Sequence, residues 1–287
     1  MANIALAALE TALRERKLDR TLTTALPPLE RSDPAAFIPF DIASIDTLLG
    51  GRALGDRVLG DRVLGDRTLG GGLPRGQVSE LAGPHSSGRT TLLLQLVGAA
   101  TRSGELAALI DTCDRLDVAS ASAAGIDLDR LLWIRGESSR LVLSERSESK
   151  ERIVDRAIKA LNLVLQAGGF AVVAIDLADI HPRVLKSLPF TTWLRLQRIV
   201  EGSDTACLLV TPEPLARSAG GLTVMCTGRT TWSGQTARDA TARARLTAVA
   251  SAEAVRFTGL DTNIRVVSPR RRIDGDARVA AMANDSQ

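Results

Sequence analysis

The feature that most constrains this chain is Gly83-Pro84-His85-Ser86-Ser87-Gly88-Arg89-Thr90-Thr91, set between an apolar run that reads as a strand (77–82) and one that reads as a helix (90–100). In that setting glycines let backbone N–H groups curl around phosphate oxygens, and the helix N-terminus adds its partial positive charge. The spacing therefore predicts a nucleotide-binding loop, with ATP as ligand and Mg²⁺ as companion ion. Gly83, Ser86, Ser87, Gly88, Arg89, Thr90 and Thr91 are the candidate nucleotide contacts, and the Thr90 hydroxyl and Asp176 the candidate Mg²⁺ residues. Arg89 stands where such loops usually carry lysine. Its planar fork keeps the charge but is a poor replacement for a point charge on a transferring phosphate, so binding is expected to survive better than catalysis.

From Gly76 onward the apolar pattern alternates between strand and helix. Residues 77–82, 106–111, 131–134, 171–176 and 206–210 read as strands, and 90–100, 151–167 and the stretch around Trp193, Leu196, Ile199 and Val200 as helices. Weaker strands are expected at 222–227 and 263–267. This order implies an α/β fold built on a mainly parallel sheet flanked by helices, with antiparallel edge strands.

Composition narrows the function. The chain has 287 residues, enough for one large domain with appendages. The net charge of +3 permits an acidic or nucleic-acid partner without requiring one. Tyrosine is absent and only five Phe and three Trp occur, so a row of base-stacking platforms cannot be assembled, and any nucleic-acid contact rests on arginine. The three cysteines show no paired spacing and are expected as buried thiols. No stretch approaches the roughly 18 apolar residues of a membrane span, so a cytoplasmic protein without membrane contact is expected.

The residues Leu73-Pro74-Arg75-Gly76, Gly83-Pro84, Ser86-Ser87-Gly88, Thr90-Thr91 and Leu94-Gln95 resemble the bacterial RecA recombinase around its ATP loop. The likeness continues through Ile110-Asp111, Leu116-Asp117, Gly125-Ile126-Asp127-Leu128-Asp129 and Leu131-Leu132, and covers roughly residues 40–270. It implies a RecA-like P-loop core and adds Asp117 to the nucleotide contacts. Three departures accompany it. Besides Arg89, the RecA glutamate that activates water falls on Cys113, and the glutamine that senses the γ-phosphate falls near Pro212. A thiol of ordinary pKa cannot orient and deprotonate water as a carboxylate does, and proline offers no side-chain hydrogen bond. Asp114, one residue on, is the candidate substitute carboxylate. The stretches matching the RecA DNA-binding loops, 177–190 and 211–219, are too short for a filament-type clasp, and no counterpart of the RecA C-terminal domain is expected. The resemblance thus implies little or no ATPase activity.

Leu128-Asp129-Arg130-Leu131-Leu132-Trp133, with Gly71-Gly72 upstream, is similar to the ImuA group of RecA-like proteins. That group implies a scaffold for damage-induced translesion DNA synthesis and mutagenesis within the SOS response. It would tie an ImuB-like polymerase relative to an error-prone replicative-type polymerase, with RecA or a second copy of the chain as further partners. Residues 1–30 are expected as an N-terminal docking helix and linker, with Ala5, Leu6, Leu9, Ala12 and Leu13 on one face. Residues 31–72 read as a linker that carries a Leu-Gly-Asp-Arg-Val-type pentapeptide repeat in a surface loop. The core is expected over 73–268, and 269–287 as a disordered tail whose Arg270, Arg271 and Arg272 contact a partner or DNA. Two alternatives stay open, an active DNA-dependent ATPase of recombinase type and an inhibitory interaction protein resembling SulA.

Overall fold

The computed structural model describes residues 36–50, short strand pairs within 52–69, and residues 71–136, 147–216, 221–232, 257–267 and 276–282. The docking helix expected in 1–30 and the triplet Arg270–Arg272 lie outside the described residues. Contacts divide the chain at residue 30, and everything below concerns the unit that follows it.

The first elements are β1 (Phe37–Ile38) and α1 (Ala43–Leu48), then short strands β2 (Arg52–Ala53), β3 (Val58–Leu59), β4 (Arg62–Val63), β5 (Thr68–Leu69) and β6 (Leu73–Pro74). There follow β7 (Gln77–Ala82), α2 (Arg89–Arg102), β8 (Ala107–Asp111), α3 (Val118–Ala123), β9 (Leu131–Arg135), α4 (Ser147–Ala167) and β10 (Val172–Asp176). The chain continues through α5 (Pro182–Ser187), α6 (Phe190–Val200), β11 (Ala206–Thr211), β12 (Thr223–Trp232), β13 (Phe257–Val266) and β14 (Asp276–Met282).

One eight-stranded sheet, in the order β14-β13-β12-β7-β11-β10-β8-β9, organises the molecule. From β12 to β9 all neighbours run parallel, whereas β12–β13 and β13–β14 are antiparallel. The expected α/β architecture with antiparallel edge strands is therefore the observed one. Buried strand residues alternate between two cores, as the two-residue repeat of a strand demands. Ala107, Leu109, Val172, Ala174, Leu208 and Val210 join α2 on one face, while Ala108, Ile110, Val173, Ile175, Cys207 and Leu209 join α4 and α6 on the other. All three cysteines are buried and free.

Both boundaries expected for the core move outward. Phe37, Ile38, Phe40, Ile45 and Leu49 are all at most 3% exposed, and the last four pack in the α2-side cluster, so the core begins well before residue 73. At the other end, 276–282 is an edge strand instead of disordered tail. Its backbone pairs with β13 across seven residues from Gly259↔Met282 to Arg265↔Asp276, and Arg278 forms an ion pair with Asp261 on that strand. The pentapeptide repeat also contains paired backbone where a loop is expected. Val58 pairs with Val63, the same position of the next copy, and Ala53 with Thr68. The stretch 177–190, expected as a loop, holds α5, whose first turn is capped by His181 Nδ1 accepting from the Arg183 N–H.

Candidate nucleotide site

The loop between β7 and α2 lies at the carboxyl ends of the parallel strands, where open α/β sheets place their ligands. Ser86 at φ 59 and Gly88 at φ 89 turn the chain, and α2 then starts with no side-chain cap on its first N–H groups. Uncapped helix N–H groups are the donors that anion sites use. The Ser87 hydroxyl is buried without a hydrogen-bond partner, which also suits an anionic ligand.

What holds this loop is packing by the sheet behind it. A Cβ on Gly88 would clash with the Thr262 side chain of β13, and one on Gly83 with the Cys226 carbonyl of β12. Gly228 of β12 approaches the backbone of Ser86 and Ser87 just as closely. The Gly83 N–H donates to the Thr211 carbonyl at 3.2 Å, tying the loop's first residue to the end of β11.

In front of the loop is a cleft of about 490 Å³. Ser86, Ser87, Gly88, Arg89, Thr90 and Thr91 line it, together with Asp176, so most of the predicted nucleotide and Mg²⁺ residues are brought together. Gly83 lies behind the loop and serves its close packing.

Arg89, 5% exposed, donates from Nη1 to the Thr211 carbonyl at 2.6 Å. Burial holds its pKa below the usual guanidinium range, against the pull of Asp176 and Asp179. Asp176 accepts from the Ala178 N–H at 2.9 Å, and burial pushes its carboxyl up to about 6. Thr90 and Asp176 fit an Mg²⁺ ion only as minor contributors beside phosphate oxygens. Among the described residues no group of three or more His, Cys, Asp or Glu is arranged to hold a metal by itself.

The wall formed by the end of β8 differs from the expectation at two positions. Cys113 faces the cleft, 4% exposed, with its thiol pushed up to about 12 by burial and then by Asp179, Asp176 and Asp111. Asp114 does not replace it. At φ 54 its side chain leaves the cleft for Arg135, meeting Nε at 2.8 Å and Nη2 at 2.9 Å, and that pairing lowers its pKa. Arg135 in turn stacks over Trp133 at 4.7 Å. Asp117 also lies apart from the cleft lining. It caps α3, accepting from the Ser120 N–H at 2.8 Å and hydroxyl at 2.6 Å.

Sequence reasoning missed Asp111, Asp179 and Arg115, which line the same cleft. Asp111 accepts from the Arg115 and Leu116 N–H groups, both at 2.8 Å, and from Trp133 Nε1 at 3.2 Å, so it organises the turn after β8. Arg115 Nε donates to Asp179 at 2.8 Å, linking that turn to the end of β10. A carboxylate closing each apolar strand was the available signal, used for Asp176 and overlooked for Asp111.

Comparisons with known proteins agree with this geometry. The model of the RecA N-terminal domain family matches residues 58–177. Protein RecA of Clavibacter michiganensis is 31% identical over 178 residues, which is 61% of this chain and 40% of that protein. RecA of Nitratiruptor sp. is 32% identical over 145 residues, 49% of this chain and 40% of that one, and RecA of Rubrobacter xylanophilus 36% over 114, 39% and 29%. The chain spans at most 40% of the length of these relatives. Fold and site thus define an α/β protein with a phosphate-loop core. Within that class the chain is RecA-like.

Proposed function

We propose that this chain is a RecA-like accessory protein that binds a nucleotide with Mg²⁺ and hydrolyses it slowly or not at all. In this reading it serves as an ImuA-type scaffold in damage-induced translesion synthesis, bridging an ImuB-like polymerase relative and an error-prone replicative-type polymerase. The observation that carries the non-hydrolytic part is the wall at the end of β8, where a buried thiol faces the cleft and the neighbouring carboxylate pairs with Arg135. A nucleotide's phosphates would meet the first turn of α2, Ser87 and Thr90, while Asp176 would orient the ion's water shell. The bound ion would neutralise phosphate charge. A nucleotide held without turnover stabilises the domain by mass action, so assembly would respond to nucleotide level. The scaffold role rests on the similarity of 128–133 to the ImuA group.

A second reading, a DNA-dependent ATPase of recombinase type, draws on the carboxylates Asp111, Asp176 and Asp179 that line the cleft. Calorimetry with ATP and Mg²⁺, run beside a turnover assay with and without single-stranded DNA, separates the two. Binding without turnover is the expected result, and DNA-stimulated turnover would favour the second reading. A pull-down against the polymerase relative tests the scaffold role and distinguishes it from a SulA-like inhibitor.

A further inference from the structure

Three side chains that line the cleft stand outside the nucleotide contacts, and they come from three different elements. His85 belongs to the phosphate loop, Arg115 to the turn after β8, and Asp179 to the turn after β10. Asp179 sits between the other two. Arg115 Nε donates to its Oδ2 at 2.8 Å, and His85 Nδ1 faces its Oδ1 at 3.8 Å. The imidazole thus turns Nδ1 toward a carboxylate that Arg115 holds in place, while Nε2 has no partner among the described residues. The His85 side chain is 81% exposed, so it reaches a ligand without any unpacking. The chain has two histidines, and the other, His181, does not line the cleft. Its Nδ1 accepts from the Arg183 N–H at the start of α5.

We infer that His85 accepts a phosphoryl group from a nucleoside triphosphate, with Asp179 as its positioning residue and Arg115 holding Asp179. The inference rests on the nucleotide reading above and adds an activity to it. His85 lies three residues before Gly88 in the loop on which the phosphates would rest, which brings its ring near them. In the step, the Nε2 lone pair of the neutral ring attacks the terminal phosphorus and an N–P bond forms. The bond from that phosphorus to the bridging oxygen breaks, and its electron pair leaves with the nucleoside diphosphate. No proton is released. Nδ1 keeps its hydrogen, so the phosphorylated ring is cationic, and Asp179 is the anion that faces it. A carboxylate behind an imidazole fixes the tautomer and stabilises the cationic ring in this way. The other groups of the cleft are less able to attack. Burial pushes the Cys113 thiol up to about 12, so its thiolate is scarce. Asp111 and Asp176 are engaged by backbone N–H groups, and the hydroxyls of Ser86, Ser87 and Thr90 need a base to take their proton. With a thiol in place of a carboxylate at Cys113, water attacks a bound triphosphate slowly and His85 competes with it. A single transfer per chain is distinct from turnover and agrees with a site that hydrolyses slowly.

The test is incubation of the full chain with Mg²⁺ and ATP labelled at its terminal phosphate, with ATP calorimetry on the same preparations. Protein-bound label is expected that survives alkali and is lost in acid, as a phosphoramidate is. A serine or threonine ester survives acid, and an acyl phosphate is lost in alkali, so the two treatments tell the three apart. ATP labelled at its innermost phosphate is expected to leave no label. His85→Asn is expected to lower the label at least about tenfold while still binding ATP, and His181→Asn to label as the wild type does. Asp179→Asn is expected to slow single-turnover labelling about tenfold while binding ATP at least as tightly, a split between rate and affinity that a merely structural role would not give. ATP binding without acid-labile label would overturn the transfer and leave the nucleotide reading standing. Label kept by His85→Asn, or lost by His181→Asn, would overturn the assignment to His85. Wild-type labelling by Asp179→Asn would overturn the positioning role of Asp179. Absence of ATP binding would overturn the nucleotide reading and the transfer with it.

Discussion

The cleft has two walls, and they are built in different ways in the same fold. The loop wall, from Gly83 into α2, keeps the left-handed turns, the uncapped helix start and the glycine contacts against β12 and β13. The strand-end wall, at the ends of β8 and β10, carries Cys113, Asp111 and Asp176 facing in, while Asp114 turns away to Arg135. The first wall is set by backbone packing spread over three strands. The second depends on the identity of one side chain at a time. On the proposed reading, binding geometry rests on the first wall and hydrolytic chemistry on the second, so substitutions can address them separately.

The strongest way to break the comparison is to attack the packed wall. Gly88→Ala forces an L residue to φ 89 and drives its Cβ against Thr262. A cost of about 2–4 kcal/mol is expected, which lowers the melting temperature by roughly 5–12 °C and abolishes nucleotide binding. Adding Thr262→Ala should recover part of the loss in a thermal melt, since the clash is with that side chain. No recovery would mean that backbone strain alone fixes Gly88.

The next effect sharpens the contrast from the other wall. If only single side chains are missing, Cys113→Glu on this wall combined with Arg89→Lys on the loop wall should raise ATP turnover at least about tenfold, because one transition-state contact is typically worth about 10²–10³ in rate. Cys113→Ser should leave turnover where it was. A steady-state assay reads both, and a double variant as slow as the wild type would show that the wall has lost more than these residues.

The same division decides what could be read in advance. Strands β8, β10 and β11 were legible because their two-residue alternation serves two cores, and the loop because its glycines precede a helix. Edge strand β14 was not, since Asp276 to Met282 holds three alanines, weak strand formers, among its seven residues, and its order comes from pairing with β13. Asp114 was misread for a related reason. Sequence spacing places it beside Cys113, but the left-handed turn that sends it to Arg135 is a three-dimensional fact. Glu80 carried no signal beyond its place in an apolar strand, and its importance comes from Thr211 and Leu215, more than 130 residues away.

Glu80 gives a smaller, pH-dependent test of the packed wall. Burial raises its carboxyl from 4.5 to about 6, so the folded protein binds the proton more tightly than the unfolded chain. Stability from this group is present below about pH 4.5 and is lost as pH rises through 6, a difference of roughly 2 kcal/mol by neutral pH. Glu80→Gln keeps an oxygen for Thr211 and Leu215 without the charge. Its melting temperature should exceed the wild type by a few degrees at pH 7.5, and the gap should close by pH 4.5. A constant gap across that range would assign the effect to something other than the carboxyl proton. Asp46 and Asp176, also raised to about 6, titrate in both proteins and cancel in the difference.

The smallest effect is expected at Asp114, and it discriminates most directly between the walls. Its carboxylate pairs with Arg135, whose side chain is 60% exposed, in surroundings open to solvent and screened by salt. Asp114→Ala should therefore change the melting temperature by less than about 2 °C. It should also leave calorimetric nucleotide binding and any residual turnover unchanged, because the side chain does not line the cleft. If the substitution instead removed a DNA-stimulated turnover, the pairing with Arg135 would have to open in the presence of DNA. Asp114 would then be the replacement carboxylate, and the strand-end wall would be a rearranged catalytic wall in place of a lapsed one.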